Sequence, residues 1–157
     1  EKYMFRKIFL LTLLTAFSSS LFAASAEERA QTAIDTRQGL LKVVASYFGP
    51  IVGMARGQIP FDAAVVEKNA GKIAQLAPML KDVFAKDTRE SGLQSGAKDG
   101  IWEDMADFKG KAATTTERAI ALANAASQGK GPTMKAFGAL GASCKGCHES
   151  YREKDEG

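Results

Sequence analysis

The sequence from residue 132 to residue 154 reads PTMKAFGALGASCKGCHESYREK and is the most informative part of this 157-residue chain. Pro132 suits the first turn of a helix, and it follows Gly129-Lys130-Gly131, which ends the preceding helical pattern. One face of the predicted helix carries Phe137, Leu140, Cys144, His148 and Tyr151. This spacing is typical of an amphipathic helix, so the last helix presents two thiols and an imidazole close together.

Cys144-Lys145-Gly146-Cys147-His148 is a C-x-x-C-H sequence, the pattern that attaches haem c. The two thiols lie on one side of a helical turn, where each can add across a haem vinyl group, and His148 can then ligate the iron. A redox dithiol would favour a βαβ context, a zinc site would need a fourth ligand, and a disulfide inside one helix would be strained. We therefore predict one haem c, bound covalently through Cys144 and Cys147.

The composition limits the other possible functions. The chain contains a single histidine, which excludes bis-histidine haem ligation and most zinc sites built from several histidines. A net charge of +3, without a long run of Lys or Arg, argues against nucleic-acid binding. Apolar residues make up 45% of the chain and charged residues 25%, which is ordinary for a globular protein.

Three further helical patterns precede the last one, covering roughly residues 28–54, 62–84 and 101–127. Their apolar faces carry Ile34, Leu41, Val44 and Phe48, then Val66, Ile73, Leu76, Leu80 and Phe84, then Trp102, Met105, Phe108, Ala112, Ala119, Leu122 and Ala126. Asp62 should cap the second helix, Pro78 should bend it, and Pro50 should kink or fray the end of the first. Mostly short links favour an all-α, antiparallel up-down-up-down four-helix bundle.

Residues 1–26 are typical of a secretory signal. Three basic residues are followed by an apolar run and by Ala24-Ser25-Ala26, a small-residue cleavage site. The apolar run of about ten residues is too short to span a bilayer about 30 Å thick. We expect cleavage near Ala26 and a haem domain over residues 27–157 that is exported to the periplasm and does not contact the membrane.

No second iron ligand is evident in the sequence. Only nine residues follow His148, and none of them is Met. Met134 lies fourteen residues before His148, about 21 Å along the helix axis, and cannot reach over the haem. Met54, Met79 and Met105 lie near predicted helix ends, where we expect them to fill the core.

Three parts of the sequence together resemble cytochrome c′, the class II c-type cytochromes. They are Arg37-Gln38-Gly39-Leu40-Leu41, Ile101-Trp102, and Cys144 to Arg152. In this family, a position four residues after the arginine of the first helix faces the iron, and low-spin relatives place a methionine there. Leu41 occupies that position and cannot coordinate. The resemblance therefore implies a five-coordinate, high-spin haem with an apolar distal pocket.

The resemblance also implies roles for other side chains. Arg37, one helical turn before Leu41, would reach a haem propionate. Gln38, next to Arg37, would also bind the cofactor. Arg152 would place a positive charge beside the proximal histidine and tune the potential of the iron. For both arginines, an ordinary surface position is the alternative. Phe84 is the first candidate among the aromatic residues to line the pocket, although core packing is their default role.

An apolar pocket without a hydrogen-bond donor suits neutral diatomic ligands such as NO and CO better than polarised bound oxygen. The absence of a distal acid or base argues against peroxidase-type catalysis, which needs a proton shuttle. We therefore expect a non-enzymatic periplasmic haem protein that binds NO and CO, with one-electron transfer to an unidentified redox partner as the alternative. A second apolar row on the first helix, Leu40, Val43 and Tyr47, predicts a homodimer through the first two helices.

Overall fold

The computed structural model describes residues 2–154 and their side chains from residue 26 onward. The helices are α1 (Lys2–Ala55), α2 (Ala63–Leu76), α3 (Leu80–Val83), α4 (Gly100–Glu103), α5 (Met105–Ala125) and α6 (Lys130–Tyr151). Short 3₁₀ turns occupy Ala77–Met79, Arg89–Ser91 and Ala126–Gln128. The side chains of nearly all the predicted signal segment, and residues 155–157 of the predicted haem domain, lie outside the described residues.

The structure confirms two of the three predictions about helix ends and interruptions in the first half of the chain. Asp62 caps α2 as expected, because its Oδ1 accepts a hydrogen bond from the Val65 amide at 3.1 Å. The expected interruption at Pro78 is also present, since α2 gives way to a 3₁₀ turn there. Pro50 was expected to kink or fray the end of α1; fraying was wrong, because α1 continues to Ala55, and a kink at Pro50 stays a prediction. Ile51 and Met54, which follow Pro50, are buried, and their packing holds the last turn.

The predicted single helix over residues 101–127 is divided in two. Asp104 leaves helical geometry, with φ −132° and ψ 69°, and separates α4 from α5. Its side chain accepts a hydrogen bond from the Asp107 amide at 3.0 Å, which makes it the N-cap of α5. The apolar spacing over residues 101–127 is compatible with one continuous helix, so it did not reveal that Asp104 caps a new helix, α5.

Consecutive long helices are neighbours in space: α1 packs on α2, α2 on α5, and α5 on α6. This arrangement confirms the all-α, up-down-up-down four-helix bundle. The central cluster of the core consists of Ile51, Met54, Val66, Ala70, Ile73, Ala119, Leu122, Ala126 and Leu140. A second group, the aromatic cluster, consists of Phe84, Ile101, Phe108 and Tyr151. Over the part of the chain that is described, no helix is both long and apolar enough to cross a membrane.

Candidate haem site

The two cysteines lie on α6 with half-buried side chains, and neither forms a disulfide. Cys144 packs against the central cluster, and Cys147, about one turn later, packs against the aromatic cluster. Burial raises the pKa of both thiols, and for Cys147 the neighbouring Cys144 adds to the effect. Two thiols thus line the side of α6 that faces the bundle.

His148 lies in the last turn of α6 and is exposed. Although the residue as a whole is exposed, neighbouring groups exclude part of the water around its ring, which lowers its pKa, and the positive charge of Arg152 lowers it further. Both effects favour the neutral imidazole, which is the form that coordinates a metal. Arg152 lies one turn after His148, and its amide donates to the His148 carbonyl at 2.9 Å; its effect on the potential of the iron stays a prediction.

A loop before α4 holds the end of α6. The Lys98 amide donates to the Tyr151 carbonyl at 3.0 Å, and the Lys98 ammonium donates to the Glu149 carbonyl at 3.0 Å. The Glu153 amide donates to the Gly96 carbonyl at 2.9 Å, and an isolated bridge pairs Ala97 with Arg152. The two hydrogen bonds from Lys98 satisfy carbonyl groups that the C-terminus of α6 leaves without partners. The sequence showed this segment only as a polar, glycine-containing loop.

Arg37 is 2% exposed and is bound within the protein. Its Nε donates to the Val83 carbonyl at 2.9 Å, Nη1 donates to Thr88 Oγ1 at 2.9 Å, and Nη2 donates to the Lys86 carbonyl. Its guanidinium also lies 5.1 Å from the ring centroids of both Phe84 and Trp102. Arg37 thus ties α1 to the segment that follows α3. Contact with a propionate stays a prediction, and three of its five donor positions are already used.

Leu41 lies on α1 one turn after Arg37 and is 37% exposed. Gln38 is exposed on the same helix. Phe84 is 6% exposed and belongs to the aromatic cluster, against which Cys147 packs. The structure therefore brings Arg37, Phe84 and Cys147 to one end of the bundle, and leaves Leu41 and Gln38 at the surface.

Tyr151 and Asp107 form a contact that the sequence did not predict as part of the site. The Tyr151 hydroxyl donates to Asp107 Oδ2 at 2.5 Å, and the Lys111 ammonium lies 3.6 Å from the same oxygen. The apolar spacing of α6 indicated that Tyr151 is buried, but its partner lies 44 residues away in sequence. No local signal could identify that partner.

These residues fit a haem c. Two free thiols one turn apart precede an imidazole whose neutral form is favoured, and an exposed leucine offers apolar surface on another helix. Within the described residues, no group of three or more His, Cys, Asp or Glu side chains is arranged to hold a metal ion. A four-helix bundle with this attachment motif defines a class, the c-type haem proteins with an all-helical fold.

The chain belongs to the cytochrome c′ family, whose family model, described as Cytochrome C', matches residues 32–152. A cytochrome c′ of Cereibacter sphaeroides is 33% identical over 151 residues, covering 95% of this chain and 99% of that protein. A solved cytochrome c′ from Rhodobacter sphaeroides superposes with a TM-score of 0.73 at 33% identity, covering 80% of this chain and 98% of the other. A nitric oxide complex of a leucine-to-isoleucine variant of cytochrome c prime from Alcaligenes xylosoxidans superposes with a TM-score of 0.69 at 33% identity, covering 80% and 97%. As a family member, the chain carries haem c, and its two cysteines are the residues available for covalent attachment.

Proposed function

We propose that this protein binds the neutral diatomic ligands NO and CO at a five-coordinate haem c. Cys144 and Cys147 would hold the haem covalently, His148 would ligate its iron, and Leu41 would shield that iron with an apolar side chain. The observation that carries the proposal is the side chain at position 41, which is a partly exposed leucine with no coordinating atom. The nitric oxide complex of the Alcaligenes variant supports the same type of ligand for a related protein.

Each residue has a definite task in this proposal. The bound haem supplies an iron with an open coordination position, and the protein controls what reaches it. Thioether links from Cys144 and Cys147 would hold the group against α6. His148 would supply an imidazole nitrogen to the iron, and the cation of Arg152 favours the neutral form of that imidazole because it lowers its pKa. Leu41 offers no hydrogen bond and must be displaced by a ligand, which favours small molecules that bind strongly.

Arg37 and Gln38, on the same helix as Leu41, together with Phe84, adjoin the haem, and Arg152 tunes its potential. The mature domain covers residues 27–157 after removal of the signal segment, resides in the periplasm, and forms a homodimer through its first two helices. Ligand binding of this kind is not an enzymatic function.

One-electron transfer is the second candidate. His148 is exposed at the end of α6, and the side chains of Lys145 and Glu149 around it are also exposed. A haem attached to this surface would have an accessible edge for a redox partner protein. The two functions differ in what they require of the sixth coordination position.

An absorption spectrum of the reduced holoprotein, recorded with and without NO and CO, tests the proposal. We expect a high-spin, five-coordinate spectrum that changes when either gas is added. The matched variant is Leu41→Met, which supplies a thioether and should give a low-spin spectrum with weaker CO binding. A wild-type protein that is already low-spin and does not respond to NO or CO would contradict the proposal and favour electron transfer.

A further inference from the structure

Tyr151 connects the haem-attachment helix to the beginning of α5. It is 8% exposed, its ring lies 5.4 Å from that of Phe108, and its hydroxyl donates to Asp107 Oδ2 at 2.5 Å. Its main-chain carbonyl accepts a hydrogen bond from the Lys98 amide. Both its side chain and its main chain are therefore held, and the last turn of α6 is fixed from two sides.

Asp107 lies in the first turn of α5, where a negative charge interacts favourably with the helix dipole. Its Oδ2 is shared by the Tyr151 hydroxyl and the Lys111 ammonium, which lies 3.6 Å away. The carboxylate is thus partly compensated by one hydrogen-bond donor, which belongs to α6, and by one cation on its own helix. Removing either group leaves the same charge less compensated.

The attachment residues lie within the range of this charge. Tyr151 follows Cys147 by four residues and His148 by three on one helix, so it shares their side of α6. Cys147 packs against the aromatic cluster that contains the Tyr151 ring. The Asp107 carboxylate, which binds the Tyr151 hydroxyl, therefore lies beside the cluster against which Cys147 packs.

We propose that Tyr151 and Asp107 form a positioning pair on the proximal side of the haem, in which Asp107 supplies a negative charge that stabilises the oxidised iron and the Tyr151 hydroxyl moderates that charge. The pair also holds the turn of α6 that carries His148. This proposal rests on the proposed haem attachment. Both residues lie outside the C-x-x-C-H motif, and a hydrogen bond between α6 and α5 joins them.

The test is the reduction potential of the holoprotein in two variants that remove one partner each. Asp107→Asn removes the negative charge and should raise the potential. Tyr151→Phe keeps the ring but leaves the carboxylate less compensated, and should lower the potential. The double variant should match Asp107→Asn, because the hydroxyl acts only through that carboxylate.

Two control variants set the scale of the measurement. Tyr47→Phe removes a hydroxyl from a tyrosine beside the central cluster, and Glu117→Gln removes an exposed charge ten residues further along α5. Urea unfolding of every variant separates a change of potential from a loss of stability. A purely structural contact would shift both potentials in the same direction or not at all, and either result would overturn the proposal. A protein isolated without haem would instead refute the proposed attachment.

Discussion

The guanidinium of Arg37 illustrates how much the surroundings of one side chain can change its interpretation. From its position one turn before Leu41, it was expected to reach a propionate. In the structure, it donates to two carbonyl groups and to Thr88, and it contacts the rings of Phe84 and Trp102. The same side chain therefore stabilises the bundle end whether or not it also contacts the haem.

Arg37→Ala should reduce the free energy of unfolding by about 3 kcal/mol, because partly buried carbonyl groups lose their donor. Arg37→Lys should lose less, since an ammonium keeps the charge but lacks the planar set of donors. Urea unfolding of the holoprotein measures both changes. Arg56→Ala, on an exposed side chain, should stay within about 0.5 kcal/mol of wild type. A loss below about 1 kcal/mol for Arg37→Ala would mean that these hydrogen bonds contribute little.

Leu41→Ala should increase the rate of CO association about tenfold and raise the affinity. The ligand no longer has to displace a large side chain, and repacking of this kind costs about 1–2 kcal/mol. Flash photolysis of the CO complex gives the rate. Val43→Ala is the matched control, because Val43 is a 45% exposed apolar residue on the same helix. Unchanged CO kinetics in the Leu41 variant would show that Leu41 does not cover the iron.

Several helices of this fold begin at a side chain that caps them or are interrupted by a proline. The side chain of Asp104 starts α5, Asp62 starts α2, and Pro78 interrupts the second long helix. The end of α6 is different, because contacts from other elements hold it. Tyr151 binds Asp107 at the start of α5, so these two helices are joined at the end of the bundle that carries the attachment motif.

The stability of this junction should depend on alkaline pH. Burial raises the pKa of Tyr151, and the hydrogen bond to Asp107 raises it further. A tyrosine in the unfolded chain loses its proton near pH 10, whereas the folded protein retains it. The contribution of Tyr151 is therefore fully present below about pH 10 and declines as the pH rises above that value.

Urea unfolding at pH 8 and at several values above pH 10 measures this effect. The advantage of wild type over Tyr151→Phe should be largest at pH 8 and should shrink as the pH increases. Tyr47→Phe corrects for general effects of removing a tyrosine hydroxyl. A constant difference between wild type and Tyr151→Phe across this range would contradict the expectation.

At the scale of the whole molecule, some apolar side chains of α1 and of its connection to α2 remain exposed. Val43 is 45% exposed on α1, and Ile59, in the connection to α2, is 42% exposed. Leu40 and Tyr47, which complete the second apolar row on α1, are half-buried. A second copy of the chain would cover this surface.

We expect a homodimer at micromolar concentration in sedimentation velocity experiments. Val43→Glu should shift the population towards monomer, because it places a charge in an apolar interface. Ile120→Glu is the control, since Ile120 is 48% exposed on α5, outside the first two long helices. A wild-type protein that sediments only as a monomer would disprove the dimer, and equal dissociation of both variants would argue against this location.

Local patterns in the sequence predicted much of the molecule. The spacing of apolar residues indicated four long helices, Asp62 and Pro78 indicated where one begins and is interrupted, and C-x-x-C-H indicated the haem. Each of these signals acts within one or two helical turns. The burial of Ile34, Phe108, Leu122, Leu140 and Tyr151 followed from the same periodicity.

Long-range contacts were decided by packing alone. Arg37 meets Val83 and Thr88 across 46 and 51 residues, and Tyr151 meets Asp107 across 44. The continuation of α1 past Pro50 depends on the burial of the residues that follow it. A sequence encodes helix periodicity locally, but the partner of a buried polar side chain depends on which helices pack together and at what register, and only the folded bundle sets both.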